Sequence, residues 1–385
     1  MSSLIYLDNN ATTKPDPRVV DTMIPYLSSE YANASSSHSF GEKIKRDVDQ
    51  AREKVVQLIG GYPNELTFTS GATEALNIAI KGIAEASING NNHIITIESE
   101  HPAVLDTCKY LETIGYEVTY LPVDTDGLVS LDTLKANLRE KTILVSVMMV
   151  NNETGVIQPI KKIAEIVHEN NSLLVCDATQ AVGKMPINVE EQGIDVLCFS
   201  AHKFYGPKGI GCLYISHTNR SITIAPLIHG GGHEKGYRSG TLNVPAIIGL
   251  GEAAAISANE MLSDGQRIGE LRDYLEENLL KIQGAKVNGN IANRLYNVTN
   301  IFFPNIEASV LIGRTKNIAF SNGSACSSIV IEPSHVLKSM GLSDEEAFSS
   351  IRFSLGRFNT LKEIEQAAEE VSQSIEILRS INHLG

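Results

Sequence analysis

Short β-branched segments alternate with amphipathic segments across residues 65–216, and this alternation limits the possible folds more than any other feature of the chain. The segments with the length and composition of strands are 66–69, 93–97, 117–121, 143–150, 173–177, 196–200 and 211–215. The segments with helical spacing of apolar residues are 72–85, 105–114, 131–139 and 160–169. Strand–helix–strand alternation predicts a mostly parallel α/β sheet. Functional residues of such a sheet gather at the C-terminal ends of its strands.

A different pattern begins after Asn243. One long helix is predicted over residues 247–282, strands over 298–303 and 318–321, and two later helices, the second of them over 361–378. The apolar residues of this last segment recur at the spacing of one helix face. We interpret this half as a smaller α+β domain.

The chain is therefore predicted to form two closely packed domains, since 385 residues with 42% hydrophobic composition can bury substantial cores. The large domain comprises residues 14–257 and holds a mainly parallel, mixed sheet. The small domain combines residues 1–13 with residues 258–385 and carries a loop at about residues 322–333.

Charge and cysteine content exclude several classes of protein. The net charge of −13 and a pI near 5.3 argue against nucleic acid or an anionic membrane as the main partner. The N-terminal residues lack the features of a signal peptide, and no apolar segment is long enough to cross a bilayer. Five cysteines without a Cys-x-x-Cys pair argue against a disulfide framework or a zinc site. We therefore expect a cytoplasmic enzyme without a bound metal.

One cysteine differs from the others. Cys176, Cys198 and Cys212 lie in strand-like segments, where a buried and inert thiol is the usual outcome. Cys326 lies in residues 321–328, Ser-Asn-Gly-Ser-Ala-Cys-Ser-Ser, whose small residues predict an exposed loop. We interpret Cys326 as a candidate nucleophile.

An acid and an amine follow neighbouring strand-like segments. Asp177 ends one segment and Lys203 comes just after the next. A lysine that forms an imine and a carboxylate that keeps a pyridine nitrogen protonated suit a pyridoxal phosphate (PLP) site. The plainer interpretation is an aspartate that caps a loop and a surface lysine. A dinucleotide loop is a weaker alternative, because the glycines at positions 206, 209 and 211 have the wrong order of spacings.

Residues 70–74, Ser-Gly-Ala-Thr-Glu, follow a strand-like segment and open a helix. Small residues there let backbone N–H groups approach an anion, and the helix dipole favours a phosphate. The alternative is an ordinary helix start with Ser70 as the N-cap.

Two further side chains are candidates for contact with a ligand. His101 is suited to stacking on a flat cofactor and to moving protons near neutral pH, although a capping or surface role is the plainer interpretation. Arg352 lies between apolar residues and is suited to binding a carboxylate, with an ordinary ion pair as the alternative. The glycine-rich residues 230–241 either reach a phosphate or form a surface loop.

In this order along almost the whole chain, the segments resemble PLP-dependent cysteine desulfurases of the NifS/IscS type, which belong to the class V aminotransferase-like enzymes. The shared motifs lie at residues 6–13, 35–41, 68–74, 100–105, 150–155, 177–180, 200–203, 230–241, 323–326 and 352–357. The Gly-Ser-Ala-Cys motif at residues 323–326 resembles the group I enzymes. The resemblance implies the aspartate aminotransferase-like fold, fold type I, with PLP as the cofactor.

The resemblance also implies roles for individual residues around PLP. Lys203 would bind the cofactor covalently, Asp177 would hold its pyridine nitrogen, and His101 would stack on its ring. Gln180 and Asn152 would contact the ring hydroxyl side and the bound substrate. The residues that would hold the phosphate are Ala72, Thr73, Ser200 and His202.

Other implied roles concern the substrate and the partners. Arg352 would bind the α-carboxylate of L-cysteine, and Cys326 would accept its sulfur as a persulfide, leaving L-alanine through aldimine and ketimine chemistry. Thr241 would reach the phosphate of a second subunit, so the enzyme would be a homodimer. The sulfur would pass to an acceptor or scaffold protein for iron–sulfur cluster assembly or tRNA thiolation. Cys326 would contact an iron–sulfur cluster only transiently.

Two other functional classes remain open at this stage. A transaminase or a selenocysteine lyase would share Lys203 and Asp177 but would not need Cys326 to move sulfur. A sulfur-relay or docking subunit would keep the fold without turnover, and the presence of the lysine, aspartate, histidine and cysteine argues against it.

Overall fold

The computed structural model of the chain describes residues 4–87, 90–217, 222–323 and 332–382. Within these ranges, no helix combines the length and the apolar character needed to cross a lipid bilayer.

The described residues form strands β1 (Ile5–Tyr6), β2 (Leu66–Thr69), β3 (His93–Ile97), β4 (Glu117–Leu121), β5 (Thr142–Ser146), β6 (Leu173–Asp177), β7 (Val196–Ser200), β8 (Gly211–Ile215), β9 (Lys286–Val287), β10 (Val298–Phe302), β11 (Ile318–Ala319) and β12 (Ser350–Ser354). They form helices α1 (Pro17–Met23), α2 (Ser39–Ile59), α3 (Ala72–Ala86), α4 (Pro102–Thr113), α5 (Leu131–Asn137), α6 (Ile160–Glu169), α7 (Val244–Leu279), α8 (Ala308–Arg314), α9 (His335–Ser339), α10 (Asp344–Phe348) and α11 (Leu361–Asn382).

The central sheet has the strand order β2-β8-β7-β6-β5-β3-β4. The pairs from β7 to β4 are parallel, whereas β8 pairs antiparallel with both β7 and β2. The prediction of a mainly parallel, mixed α/β sheet is confirmed.

Helices cover both faces of this sheet because successive strand residues face opposite sides. In β6, Leu174 and Cys176 pack in one apolar cluster, and Val175 packs in another. Helices α2, α6 and α7 contribute to the first cluster, and α3 and α4 to the second. Burial on both faces explains why these strands are continuous apolar segments in the sequence.

A third apolar cluster lies in the C-terminal half. Strands β12, β10 and β9 form an antiparallel sheet there, and β1 pairs in parallel with β11. Ile5 and Leu7, from the start of the chain, pack in this cluster with residues of α7, β10, β12 and α11. These elements have the α+β character that the sequence predicts.

Some element bounds differ from the predictions. The predicted strand 143–150 ends at Ser146, where its pairing with β3 ends, and the backbone N–H of Met148 donates to the carboxylate of Glu100. Backbone bonds from Val147 and Met149 to β6 continue past this point. Helix α4 begins at Pro102, three residues early, since proline suits the first turn of a helix. Three helices, α9 to α11, follow β11 within the described residues, where two were predicted.

Candidate active site

A cavity of about 530 Å³ lies at the edge of the central sheet where the parallel strands end. Its wall contains residues that follow β2, β3, β5, β6 and β7, together with a residue of β12. The cavity brings together the following residues selected from the sequence: Ala72, Thr73, His101, Asn152, Asp177, Gln180, Ser200, His202, Lys203 and Arg352. The topology therefore gathers at one place side chains that are far apart in the chain.

Lys203 lies in a short 3-10 turn directly after β7 and is half-buried. Its Nζ atom donates hydrogen bonds to the backbone carbonyl oxygens of Asn10 and Ala11, at 2.7 and 2.8 Å. These neutral acceptors hold the amine in the wall of the cavity.

Asp177 is the last residue of β6 and is buried. Its Oδ1 atom accepts a hydrogen bond from the backbone N–H of Thr179 at 2.9 Å, so the side chain does cap the following turn. It also lines the cavity. Because β6 and β7 pair in parallel, this carboxylate and Lys203 enter the cavity from neighbouring strand ends.

The N-terminus of α3 opens on the cavity. Gly71 is the N-cap and provides no side-chain hydrogen bond to the first turn, so Ser70 is not the cap that the alternative interpretation required. Ala72 and Thr73 lie in this first turn, beside Ser200 at the end of β7. Uncapped N–H groups and the positive end of the helix dipole favour an anion at this end of the cavity.

His202 contributes to the same wall. Its Nδ1 atom lies 3.1 Å from the hydroxyl oxygen of Thr12. Burial, and next the positive charges of Lys203 and Lys208, lower the pKa of His202 to about 4. The ring is therefore neutral near pH 7 and acts there as a hydrogen-bonding group.

His101 is both the N-cap of α4 and a wall of the cavity. Its Nδ1 atom accepts a hydrogen bond from the backbone N–H of Ala103 at 3.1 Å, so the proton of the neutral ring is on Nε2. Burial lowers the pKa of His101, although the nearby Asp177 opposes this shift. The capping role, the plainer interpretation of the sequence, is thus compatible with contact to a ligand.

Arg352 reaches the cavity from β12 and is buried. Its Nη1 atom donates to the backbone carbonyl of Asn152 at 3.0 Å, and its Nη2 atom donates to Asp8 Oδ1 at 2.7 Å. Its Nε atom has no hydrogen-bond partner among the described residues. The guanidinium is fixed in position and keeps an unused donor.

Gln180 is buried, and its Nε2 atom donates to the backbone carbonyl of Asn10 at 2.9 Å. This is the carbonyl that also accepts from Lys203. In the sequence, the segment after β1 is recognisable only as a motif, and its role in holding Lys203, Gln180 and Arg352 is not apparent there. No local pattern could reveal these contacts, because they join residues more than 160 positions apart.

Two predicted residues are not among those that line the cavity. Thr241 is exposed and, in the part of the chain that the structure describes, does not line it. Cys326 lies outside the described residues, as does most of the predicted loop at about residues 322–333.

Comparisons with known proteins agree with one another. The family model described as Aminotransferase class-V matches residues 5–367. The cysteine desulfurase IscS of Ehrlichia chaffeensis is 47% identical over 381 residues, which cover 99% of this chain and 93% of that protein. A solved NifS-like protein superposes with a TM-score of 0.91 at 39% identity. The match covers 97% of this chain and 100% of that protein. SspA, solved in complex with cysteine, superposes with a TM-score of 0.82 at 36% identity. The match covers 92% of this chain and 100% of the SspA chain.

Proposed function

This chain belongs to the aminotransferase class-V family and is a cysteine desulfurase, and from this premise we propose that its cavity binds PLP and that the sulfur of L-cysteine passes to Cys326. The observation that carries the proposal is the convergence of Lys203, Asp177 and Arg352 on one cavity. These side chains supply an amine, a buried carboxylate and a fixed guanidinium, which are the groups that PLP and an amino acid require.

The residues of the cavity fit PLP. Its phosphate suits the uncapped N-terminus of α3, where Ala72 and Thr73 lie. Two buried polar atoms, Asn152 Oδ1 and Thr179 Oγ1, have no hydrogen-bond partner among the described residues, although both residues line the cavity. Buried polar atoms are normally paired, so these two are suited to bonding with a ligand.

Four polar residues of the cavity wall have proposed roles in the reaction. PLP, when bound, supplies the electron sink that lets a bound amino acid lose its Cα proton. Lys203 Nζ would hold the cofactor and move that proton, and Asp177 would face the pyridine nitrogen. Arg352 would orient the α-carboxylate, using the donor that its contacts leave unbonded. His101 would stack on the ring and present a proton at Nε2.

The assignment of Cys326 is supported by the state of the other cysteines. Cys108, Cys176, Cys198 and Cys212 are all buried. Burial raises the pKa of the Cys108 thiol to about 12 and raises the pKa values of the other three as well. Because the thiolate is the reactive form, these four thiols are unsuited to sulfur transfer.

The proposed sulfur transfer from L-cysteine to Cys326 needs no external oxidant or reductant. The Cys326 thiolate attacks the sulfur of the bound L-cysteine, so an S–S bond forms and the C–S bond breaks. The electron pair of that bond remains on the substrate, whose Cβ takes up a proton. The products are a persulfide on Cys326 and L-alanine.

We also propose a homodimer in which Thr241 reaches the phosphate site of a second subunit. Its exposed position, away from the cavity of its own chain, is compatible with that role. A single monomeric species in sedimentation of the purified protein would exclude it.

We also propose the division of the chain into two domains and a cytoplasmic location for the protein. The division into residues 14–257 and residues 1–13 with 258–385 is supported by the packing of Ile5 and Leu7 in the C-terminal cluster. The free thiols of the described cysteines are compatible with a cytoplasmic location.

The sulfur would pass to an acceptor or scaffold protein in iron–sulfur cluster assembly or tRNA thiolation. Trapping a mixed disulfide at Cys326 would identify that acceptor.

The function is tested by following both products from L-cysteine. The purified protein with PLP is expected to release L-alanine and to gain one sulfur atom on Cys326, detected by peptide mass spectrometry. Cys326→Ser should abolish the persulfide, whereas Ser327→Ala, in the same segment, should keep it. Persulfide formation at the wild-type rate in Cys326→Ser would refute the role of Cys326. Amino transfer to a keto acid without sulfur release would indicate a transaminase.

A further inference from the structure

A second buried lysine lies behind Gln180. Lys184 is 4% exposed and is not among the described residues that line the cavity. Its Nζ atom donates a hydrogen bond to Gln180 Oε1 at 2.8 Å. Between these two residues, Gly183 has φ of +74° and approaches Phe204 so closely that an added Cβ would lie 2.7 Å from the Phe204 Cβ. The turn carrying Lys184 therefore packs directly against the residue that follows Lys203.

Three hydrogen bonds connect the two lysines. Lys184 Nζ donates to Gln180 Oε1, and Gln180 Nε2 donates to the carbonyl oxygen of Asn10 at 2.9 Å. The same carbonyl accepts from Lys203 Nζ at 2.7 Å. The carbonyl of Asn10 can only accept, so the Gln180 amide turns its Nε2 atom to that carbonyl and its Oε1 atom to the donor Lys184, the one orientation that satisfies both neighbours.

An amine at this position carries a cost that an apolar side chain would avoid. Burial, followed by the positive charges of Lys203 and Arg352, lowers the pKa of Lys184 to about 7. Methionine has a similar length and would occupy the site without a buried charge. Packing alone therefore does not account for a lysine here.

On the basis of the proposed function, we propose that Lys184 is a positioning residue, which locks the Gln180 amide and thereby sets where the amine of Lys203 rests. Lys184 acts from behind the wall and does not touch the ligand. Gln180 transmits its effect through the carbonyl of Asn10. The cofactor would then meet a Gln180 side chain whose Nε2 atom is bonded to the carbonyl of Asn10.

The proposal is tested by a double-mutant cycle. Lys184→Met removes the donor, and Lys162→Met, on the exposed face of α6, is the matched control. The dissociation constant for PLP, measured by absorbance on the cofactor-free protein, should rise about tenfold in Lys184→Met, as expected for loss of one buried hydrogen bond. It should stay unchanged in Lys162→Met. In a Gln180→Ala background, Lys184→Met should have no further effect, since the two residues act as one unit.

A merely structural role would give a different result. It would lower the melting temperature and weaken PLP binding by the same factor with or without Gln180, and this additive result would overturn the proposal. An unchanged dissociation constant in Lys184→Met would also overturn it.

A second readout does not depend on the cofactor. In the cofactor-free protein, acetylation of Lys203 by limiting acetic anhydride, followed by mass spectrometry, reports the state of that amine. Releasing the Gln180 amide would loosen the hold of the Asn10 carbonyl on the Lys203 amine, so the rate in Lys184→Met should rise about threefold, with no further rise in a Gln180→Ala background. An unchanged rate would contradict the link between the two lysines. If the wild-type protein bound no PLP while this rate still rose in Lys184→Met, the proposed function would fail and the positioning role would stand.

Discussion

The Nη2 atom of Arg352 lies 2.7 Å from Asp8 Oδ1, so a residue near the start of the chain fixes a guanidinium that enters the cavity from β12. A second contact, from Nη1 to the carbonyl of Asn152, holds the other side of the group. The guanidinium therefore needs no reorganisation before it binds a carboxylate, which favours both affinity and orientation.

Replacing Arg352 should affect substrate binding more than turnover. Arg352→Gln loses the charge that binds the α-carboxylate, so the KM for L-cysteine should rise on the order of 100-fold while kcat changes less than about fivefold. Steady-state formation of L-alanine measures both constants. Arg314→Gln, on the exposed end of α8, is the control and should match the wild type. An unchanged KM in Arg352→Gln would show that the carboxylate binds elsewhere.

The protonation state of His101 should appear in the acid limb of the pH profile. Burial lowers its pKa from the ordinary value of 6.5, so the neutral ring persists below that pH and protonates only in more acidic solution. Protonation would also remove the acceptor that caps α4 at Ala103. We expect kcat/KM to fall only below about pH 6.5, and His101→Gln to lose that limb.

The matched control for this profile is His229→Gln, which replaces an exposed histidine and should leave the limb unchanged. An acid limb of the same midpoint in His101→Gln would assign it to another group.

Lys184 should make stability depend on pH in the alkaline range. Burial, and next the positive charges of Lys203 and Arg352, lower its pKa to about 7 in the folded chain, against 10.5 when unfolded. Between these values the unfolded chain binds more protons, so the free energy of unfolding rises with pH from about 7 to 10. Below pH 7 both states are protonated, and the full cost of the buried charge is present.

Lys184→Met removes this dependence. The free energy of unfolding of Lys184→Met should therefore exceed that of the wild type by the most at pH 7. This excess should decrease by on the order of 3 kcal/mol towards pH 10. Urea unfolding of both proteins at several pH values gives the difference. A difference that stays constant with pH would mean that Lys184 is charged in the folded chain.

Much of the fold can be predicted from the sequence because the central sheet is buried on both faces. Strands such as β6 and β7 are short, continuous apolar segments whose limits are visible without a structure. The end of β5 was not predictable, since beyond Ser146 the N–H of Met148 bonds to the distant Glu100 in place of a strand neighbour. The apolar pattern continues there, and so do backbone bonds to β6, whereas the pairing with β3 stops.

The same distinction applies to the site. Asp177 ends a strand, and Lys203 and residues 70–74 follow strands, so their meeting at one edge could be predicted from topology. The carbonyls of Asn10 and Ala11, the Asp8 carboxylate and Lys184 could not, because their contacts depend on the folded backbone. A carbonyl oxygen has no sequence signature, and a lysine in a turn is ordinarily exposed.

The most direct test of the account is reduction of the PLP-loaded protein with borohydride, followed by peptide mapping. This treatment fixes PLP to the amine that holds it. The account predicts one labelled peptide with the cofactor on Lys203, and no label in Lys203→Ala. Label on Lys184 or Lys208, or none on a protein that has taken up PLP, would contradict it.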